Sequence, residues 1–386
     1  MKYFSLFPIL YFAFAAHAQT APVWTMQSSG THASLRGIHT VDGKVTWASG
    51  SGGTVLRTID GGEHWTQCAT PDAGIDGAKL DFRGVQAWDE KTAIVMASGP
   101  GELSRIYKTT DGCRTWKLLF KNPDKDGFWD AMYFYDATSG VILGDPVDGR
   151  FTIFYAAVDP GKAMKRLMNP GLEADSSTQG GFAASDSLMD TSLGVDGFVT
   201  GGKGGAFYYF DANPSVCVDC GWHEVYESRS QHRWSKSAIP LLGGSESTGA
   251  YSISKRYRAS AVPRWLFLAV GGDYTKPNES AGTAAWSADG GQSWTAAAKP
   301  PHGYRSTVEW SEALQAWITA GTNGSDFSVD DGKSWQPLED GSWNALSLPF
   351  LVGPDGRIAR LNAVAFREKI KSMKSVAGVP AGPEGH

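Results

Sequence analysis

Apolar and polar positions alternate in short runs along most of the chain, and glycine-rich turns punctuate them. RGIHTV and VTWASG are followed by TVLRTI, and HWTQC closes the group. Runs of this length, alternating with period two or unbroken in apolar character, predict strands. The second run of each group ends in a glycine-rich turn: ASGSGG, ASGPGE, LGDPVDG, TGGKGG, VGGDYTKP, AGTNGS and VGPDG. Seven such turns predict seven units. Helical patterning is scarce until FREKIKSMKS, Phe366 to Ser375, where a short basic helix or a solvated end is expected.

Tryptophans mark the period. Trp65, Trp116, Trp294 and Trp335 each close a copy of S/T-x-D-x-G-x-x-W. In decayed copies, AAVDPGKAMKRL puts Met164 in the tryptophan's place, and FDANPSVCVDCGWHEV carries Trp222 after an insertion. Periods of about 40–50 residues predict propeller blades, each a four-stranded antiparallel sheet. The last unit stops at GRIARL, Gly356 to Leu361, one strand short, whereas PVWTMQ, Pro22 to Gln27, looks like the strand that follows each motif. The expected fold is all-β: a seven-bladed propeller whose N-terminal strand completes the last blade, leaving no open edge.

Every part of the repeated motif has a structural task. Asp60 can accept hydrogen bonds from backbone amides just beyond it, Thr58 can bond locally, Gly61 or Gly62 can take positive φ, and Trp65 can bury a large ring. The same roles fall to Thr109, Asp111 and Trp116, to Ser287, Asp289, Gly291 and Trp294, and to Ser328, Asp330, Gly332 and Trp335. Copies spread around a ring face away from any shared pocket, so the motif reads as a joint and not as a catalytic site.

Composition narrows the classes of partner. The 386 residues include 47 glycines and 15 tryptophans, and the formal charge is −5 without a block of like charge. Bulk attraction to nucleic acid or to anionic lipid is disfavoured. Lys2, the apolar run Phe4 to Ala16 and the sequence Ala16-His17-Ala18 predict a signal peptide over residues 1–18, too short to span a bilayer. The expectation is an exported monomer, periplasmic or secreted, with a propeller over residues 19–365 and a tail over 366–386. Of four cysteines, Cys68 and Cys113 fall in consecutive repeats, where a disulfide or free thiols are both open. Cys217 and Cys220, near His223 and His232, match no standard zinc spacing, and a local disulfide or free thiols are expected there. No metal or cofactor is expected.

Candidate chemistry gathers in loops that a propeller places on one face. Glu102 and Arg105 lie in GPGELSR, Asp145, Asp148 and Arg150 in GDPVDGR, and Asp273, Tyr274, Lys276 and Glu279 in GGDYTKPNE. Arg36 in SLRGI, Arg83 in DFRGV and Arg305 in GYRST precede their units' glycine turns at similar distances, which predicts equivalent positions near the channel mouth. Converging guanidinium groups favour a carboxylate, a phosphate or an acidic peptide; alternatively each pairs with an acid such as Asp145 or Asp273 and tiles the channel. HExxH and a GxSxG elbow in a strand–turn–helix setting are absent.

The motif is identified as the Asp-box, or BNR, repeat. RGIHTVDGKVTWASGSGGTVLRTIDGGEHW and RIYKTTDGCRTW resemble propellers related to the photosystem II stability/assembly factor and its bacterial relatives, over nearly the whole mature chain. Cys113 replaces the expected glycine of the second copy. The resemblance implies a non-catalytic propeller that binds a protein partner or an acidic ligand. Sialidases share the repeat, which leaves a glycan-active hydrolase as the alternative, with Tyr274 or Tyr304 beside Glu279 or Asp273 as its reacting pair. Against that reading, sialidase propellers resemble six-bladed rings, and their Arg-Ile-Pro motif is missing here.

Overall fold

A computed structural model describes residues 21–72, 74, 76–158, 163–191, 195–203, 205–211, 233–258 and 264–376. Residues 24–361 form seven four-stranded antiparallel sheets, the blades of a propeller. β1 (Trp24–Gln27) precedes blade 1, which holds β2 (Leu35–Thr40), β3 (Thr46–Gly50), β4 (Thr54–Thr58) and β5 (Thr66–Gln67). Blade 2 holds β6 (Phe82–Ala87), β7 (Ala93–Ala97), β8 (Arg105–Thr109) and β9 (Lys117–Lys121). Blade 3 holds β10 (Trp129–Asp136), β11 (Ser139–Val147), β12 (Arg150–Ala157) and β13 (Ala163–Arg166). Blade 4 holds β14 (Met189–Asp190), β15 (Val195–Val199), β16 (Ala206–Asp211) and β17 (Ser235–Ala238). Blade 5 holds β18 (Thr248–Arg258), β19 (Arg264–Asp273), β20 (Ala284–Ser287) and β21 (Thr295–Ala296). Blade 6 holds β22 (Thr307–Ser311), β23 (Ala316–Gly321), β24 (Gly324–Ser328) and β25 (Gln336–Glu339), and blade 7 holds β26 (Ala345–Ser347), β27 (Phe350–Val352) and β28 (Ile358–Leu361).

β1 is the fourth strand of blade 7. It runs antiparallel to β28, with Trp24 opposite Leu361 and Gln27 opposite Ile358. Its side chains also reach both neighbouring blades: the Trp24 indole donates to Ser325 Oγ at 3.0 Å, and Gln27 Oε1 accepts from the Trp65 indole at 3.0 Å.

Second strands such as AIVMA in β7 and AWITAG in β23 are buried at every position because a blade is covered on both faces by its neighbours. Fourth strands are short and wet, as in β5, where both residues are exposed. Blade–blade contacts form the core: Leu35, Ile38, Ala48 and Leu56 of blade 1 meet Ala345, Phe350, Val352 and Ile358 of blade 7. First strands face the centre with one edge unpaired, and neighbouring side chains satisfy it. Thr40 N–H donates to Ser347 Oγ at 2.9 Å, Ala87 N–H to His39 Nδ1 at 3.3 Å, and Phe134 N–H to Gln86 Oε1 at 2.8 Å. Val308 N–H donates to Ser252 Oγ at 3.0 Å, and Leu348 N–H to Glu309 Oε2 at 2.9 Å. This protects edges that would otherwise carry unsatisfied amides.

The repeated motif turns the chain between third and fourth strands with the same hydrogen bonds four times. Thr58 Oγ1 donates to Asp60 Oδ1 at 2.8 Å and accepts from Gly62 N–H at 2.9 Å, and His64 N–H donates to Asp60 Oδ1 at 3.0 Å. Ser287–Asp289 and Ser328–Asp330 repeat the first contact at 2.8 Å, and Thr109–Asp111 at 2.9 Å. Two consecutive residues take positive φ in each copy: Gly61–Gly62, Gly112–Cys113, Gly290–Gly291 and Asp331–Gly332. Those turns press on the preceding blade. A Cβ on Gly62 would lie 2.2 Å from Gln27 Oε1, on Gly291 2.2 Å from Phe207, and on Gly332 2.0 Å from Leu268. Trp335 is buried, whereas Trp65, Trp116 and Trp294 are half-buried and hydrogen-bonded at Nε1. The motif therefore joins blades as well as strands.

In blade 4 the tryptophan just before the fourth strand is Trp234, which packs against Phe198 and Phe210. Trp222 lies outside the described residues, as do Cys217, Cys220, His223, His232 and residues 1–18. Cys68 and Cys113 form a disulfide. Separately, α1 (Ala363–Val376) is capped by Asn362, whose Oδ1 accepts from the N–H groups of Val364 and Ala365 at 3.1 Å each. No helix among the described residues is long and apolar enough to cross a membrane.

Candidate functional site

Arg36 and Arg83 occupy the same irregularity in successive blades. In β2 the pairing passes from Leu35 opposite Gly50 to Gly37 opposite Ser49, leaving Arg36 as the extra residue of a bulge. β6 skips Arg83 in the same way between Phe82 and Gly84. A bulge re-aims the side chain it carries, and here both guanidinium groups come to one carboxylate. Arg83 Nε lies 2.9 Å from Asp81 Oδ2, and Arg36 Nε lies 3.7 Å from the same oxygen. Arg83 also donates from Nη1 to Ala183 O at 3.1 Å, with its guanidinium 5.9 Å from the Phe128 ring centre.

The pair is left under-compensated. Arg36 Nε and Asp81 Oδ1 are buried without a hydrogen-bond partner. Burial, then the charge of Arg83, lower the Arg36 pKa, and Asp81 only opposes this. Two cations thus share the Asp81 carboxylate, with the buried Asp130 within electrostatic reach of Arg83, and both retain partial exposure. An incoming carboxylate or phosphate would supply the missing charge and take unused N–H donors.

Aromatic rings adjoin this charge. Phe182 stacks on Tyr251 with centroids 3.9 Å apart and planes 6° apart. Tyr251 meets Tyr304 edge-on at 4.8 Å and Tyr274 at 6.4 Å. Tyr304 is buried and sits within electrostatic reach of Arg36, while Tyr274 is 52% exposed.

Arg305 does not join them, which corrects the expected three-arginine cluster. Its N–H donates to Gly271 O as Leu35 N–H donates to Gly353 O and Trp343 N–H to Gly321 O. Arg305 is therefore equivalent to Leu35 and Trp343, one position away from Arg36. With Thr307 opposite Ala320 as Gly37 is opposite Ser49, Ser306 stands at the place of Arg36, so no arginine is carried there. The Arg305 side chain is 0% exposed. Nε donates to Asp326 Oδ2 at 2.7 Å, Nη2 pairs with the same oxygen, and Nη1 donates to Asn323 Oδ1 at 2.5 Å. Arg36, Arg83 and Arg305 therefore do not meet at one site.

Several other candidates are tied up locally. Arg105 is buried, holding Asp72 at 2.8 Å and Asp76 at 3.0 Å, and acts as a loop clamp. Glu102 pairs with Lys121 at 2.9 Å, and Arg150 with Glu173. Asp273 is buried and accepts from the N–H and hydroxyl of Thr275, while Lys276 lies 3.9 Å from Asp273 and 3.7 Å from Glu279. Asp148 supplies a left-handed turn residue, φ 53°. Asp145 is different: its Oδ1 accepts from Gly181 N–H at 2.8 Å, and burial raises its pKa. Asp130, Asp81, Phe182 and Tyr251 were not singled out by the sequence. Asp81 stood beside Arg83 in DFRGV, but the others arrive from separate blades and carry no local signal.

No family model and no curated protein matches the chain. Solved structures do. A structure of YCF48 bound to D1 peptide superposes with a TM-score of 0.57 at 16% identity, covering 89% of this chain and 98% of that one. YCF48 from Cyanidioschyzon merolae superposes with a TM-score of 0.53 at 16% identity, covering 88% and 99%. Similarity to this photosystem II assembly factor holds over nearly the full propeller and, at that identity, establishes the shared fold.

Proposed function

We propose that this chain is a non-catalytic docking propeller that holds a segment of another protein on the face bearing Arg36 and Arg83. The carrying observation is the arginine pair on a single carboxylate, Asp81, with Arg36 Nε buried and unpartnered. An acidic group of the partner, a side-chain or terminal carboxylate, would complete this cluster. Tyr251, Tyr274, Tyr304 and Phe182 would pack an adjoining apolar residue. The YCF48 structure carries a D1 peptide, and that precedent supports a protein partner for a propeller of this shape. We further propose that the mature chain works after export, in the periplasm or outside the cell. The Cys68–Cys113 disulfide supports an oxidising compartment.

The test is cross-linked capture from envelope and secreted fractions with the mature protein as bait. Arg36→Gln combined with Arg83→Gln is expected to abolish capture, and rising salt to weaken the unaltered protein. Capture that survives the double substitution would remove this reading. Turnover of fluorogenic glycosides by the purified chain would replace it with the hydrolase alternative.

A further inference from the structure

Asp130 holds the same position in blade 3 that Arg36 and Arg83 hold in blades 1 and 2. In β10 the pairing passes from Trp129 opposite Gly144 to Ala131 opposite Leu143, leaving Asp130 as the extra residue of a third bulge. Asp145 N–H donates to Phe128 O as Ser98 N–H donates to Asp81 O and Ser51 N–H to Ser34 O, which fixes the equivalence. Three successive blades therefore re-aim an arginine, an arginine and an aspartate. Two further contacts bring Asp130 to Arg83. The Arg83 guanidinium lies over the ring of Phe128, two residues before Asp130. Arg83 also donates to Ala183 O, while a Cβ on Gly181 would lie 2.6 Å from Asp130 Oδ2. Gly181 and Ala183 are separated by at most about 7 Å of chain.

Arg83 is hydrogen-bonded to Asp81 and only attracts Asp130. Asp130 is 1% exposed, and its Oδ2 has no hydrogen-bond partner. The charges that face it are Arg83 from β6 and Asp145 from β11. Asp186 also reaches β10, where its Oδ1 accepts from Met132 N–H at 2.8 Å, and burial raises its pKa as well. Burial, then the charge of Asp145, push Asp130 well above the usual carboxylate range, and Arg83 opposes them. The state of this one carboxyl sets the local balance. With Asp130 neutral, two arginines face the single charge of Asp81, and one positive charge is left over. With Asp130 charged, Arg36 and Asp81 balance each other, as do Arg83 and Asp130, and an incoming anion gains little.

We propose that Asp130 competes with the partner for Arg83: uncharged, it leaves Arg83 to the partner's acidic group, and charged, it takes Arg83 for itself. Docking then tightens as pH falls and takes up a proton, because a docked carboxylate and a charged Asp130 disfavour each other equally. This rests on the docking reading above, and the experiment separates the two. Binding of the N-acetylated, C-amidated tetrapeptide Phe-Ala-Asp-Ala and of its asparagine counterpart would be measured by calorimetry from about pH 5.5 to about pH 8.5. Over that range the peptide's carboxylate and the arginines keep their charges. For the unaltered protein, affinity for the aspartate peptide is expected to fall roughly tenfold as pH rises, the scale of one added charge near a protein surface. Asp130→Asn, which keeps the neutral shape, should hold the low-pH affinity throughout. Glu309, which also titrates in this range, is present in both proteins, so the difference between their profiles belongs to Asp130. Proton uptake needs no variant: the unaltered protein's binding heat should depend on the ionisation enthalpy of the buffer. A flat pH profile, zero uptake at every pH, or equal profiles in the two proteins overturns the competition and leaves docking standing. Equal affinity for the aspartate and asparagine peptides at low pH removes the docking reading itself, and this inference with it.

Discussion

The indole Nε1 of Trp65 donates to Gln27 Oε1 at 3.0 Å, tying the first motif to the strand that closes the ring. Gln27 stands in β1 and Trp65 just before β5, so one hydrogen bond spans blades 7 and 1. A double-mutant cycle with Trp65→Phe and Gln27→Leu, followed by chemical denaturation, should give a coupling of about 1 kcal/mol. Strict additivity would show that the contact does not help to close the ring.

The motif's glycines carry two demands that can be separated. Gly332 has φ 78° and touches Leu268, whereas Gly52 has φ 68° with nothing within 4 Å of a Cβ built there. Alanine at either position incurs the left-handed backbone strain, about 1–2 kcal/mol. Gly332→Ala should lose roughly 1–3 kcal/mol more, from overpacking against the neighbouring blade. Equal losses in the two variants would reduce the motif to a turn within one blade.

Arg305 and Asp326 occupy the positions that Leu35 and Leu56 fill in blade 1, as the matching backbone hydrogen bonds and strand registers show. Arg305→Leu alone should cost about 3–5 kcal/mol, because Asp326 stays buried with His302 alone to balance its charge. Adding Asp326→Leu should restore a large part of that loss. A double variant no more stable than Arg305→Leu would mean that the pair itself carries the stability of blade 6.

Two channel groups make stability depend on pH with opposite sign. Burial holds His39 down to about 4 from 6.5, and its Nδ1 accepts from Ala87 N–H. The folded state then refuses a proton that the unfolded chain takes, so stability falls as pH drops from 6.5 towards 4. Burial raises Glu309 to about 7 from 4.5, so its contribution is complete below 4.5 and is lost as pH rises through 7. His39→Asn should flatten the acid limb of a stability–pH curve, by on the order of 2 kcal/mol once partial exposure is allowed for, and Glu309→Gln the neutral limb. A curve unchanged by both substitutions would place the pH dependence elsewhere.

How much could be read from the chain depends on distance along it. Thr58, Asp60 and Gly62 bond to one another within a five-residue turn, so their chemistry repeats legibly wherever the pattern repeats. Blade count follows from the same punctuation. The arginine cluster was only partly legible: Arg36 and Arg83 share a motif and a bulge, but spacing alone grouped Arg305 with them. A bulge shifts every later residue by one place and reverses which side chains face inward. Its presence depends on pairing with a strand more than ten residues away.

The sequence by itself determined seven repeats, the joints between their strands and the absence of a familiar catalytic motif, because local turn chemistry and hydrophobic period need no knowledge of distant residues. Tertiary structure alone decided which charges meet. Arg36, Arg83 and Asp81 converge from two blades, and Asp130 and Asp145 of a third lie against Gly180 and Gly181. Strand register and blade packing choose those neighbours, and their balance of charge is a property of the assembled ring and of no single segment.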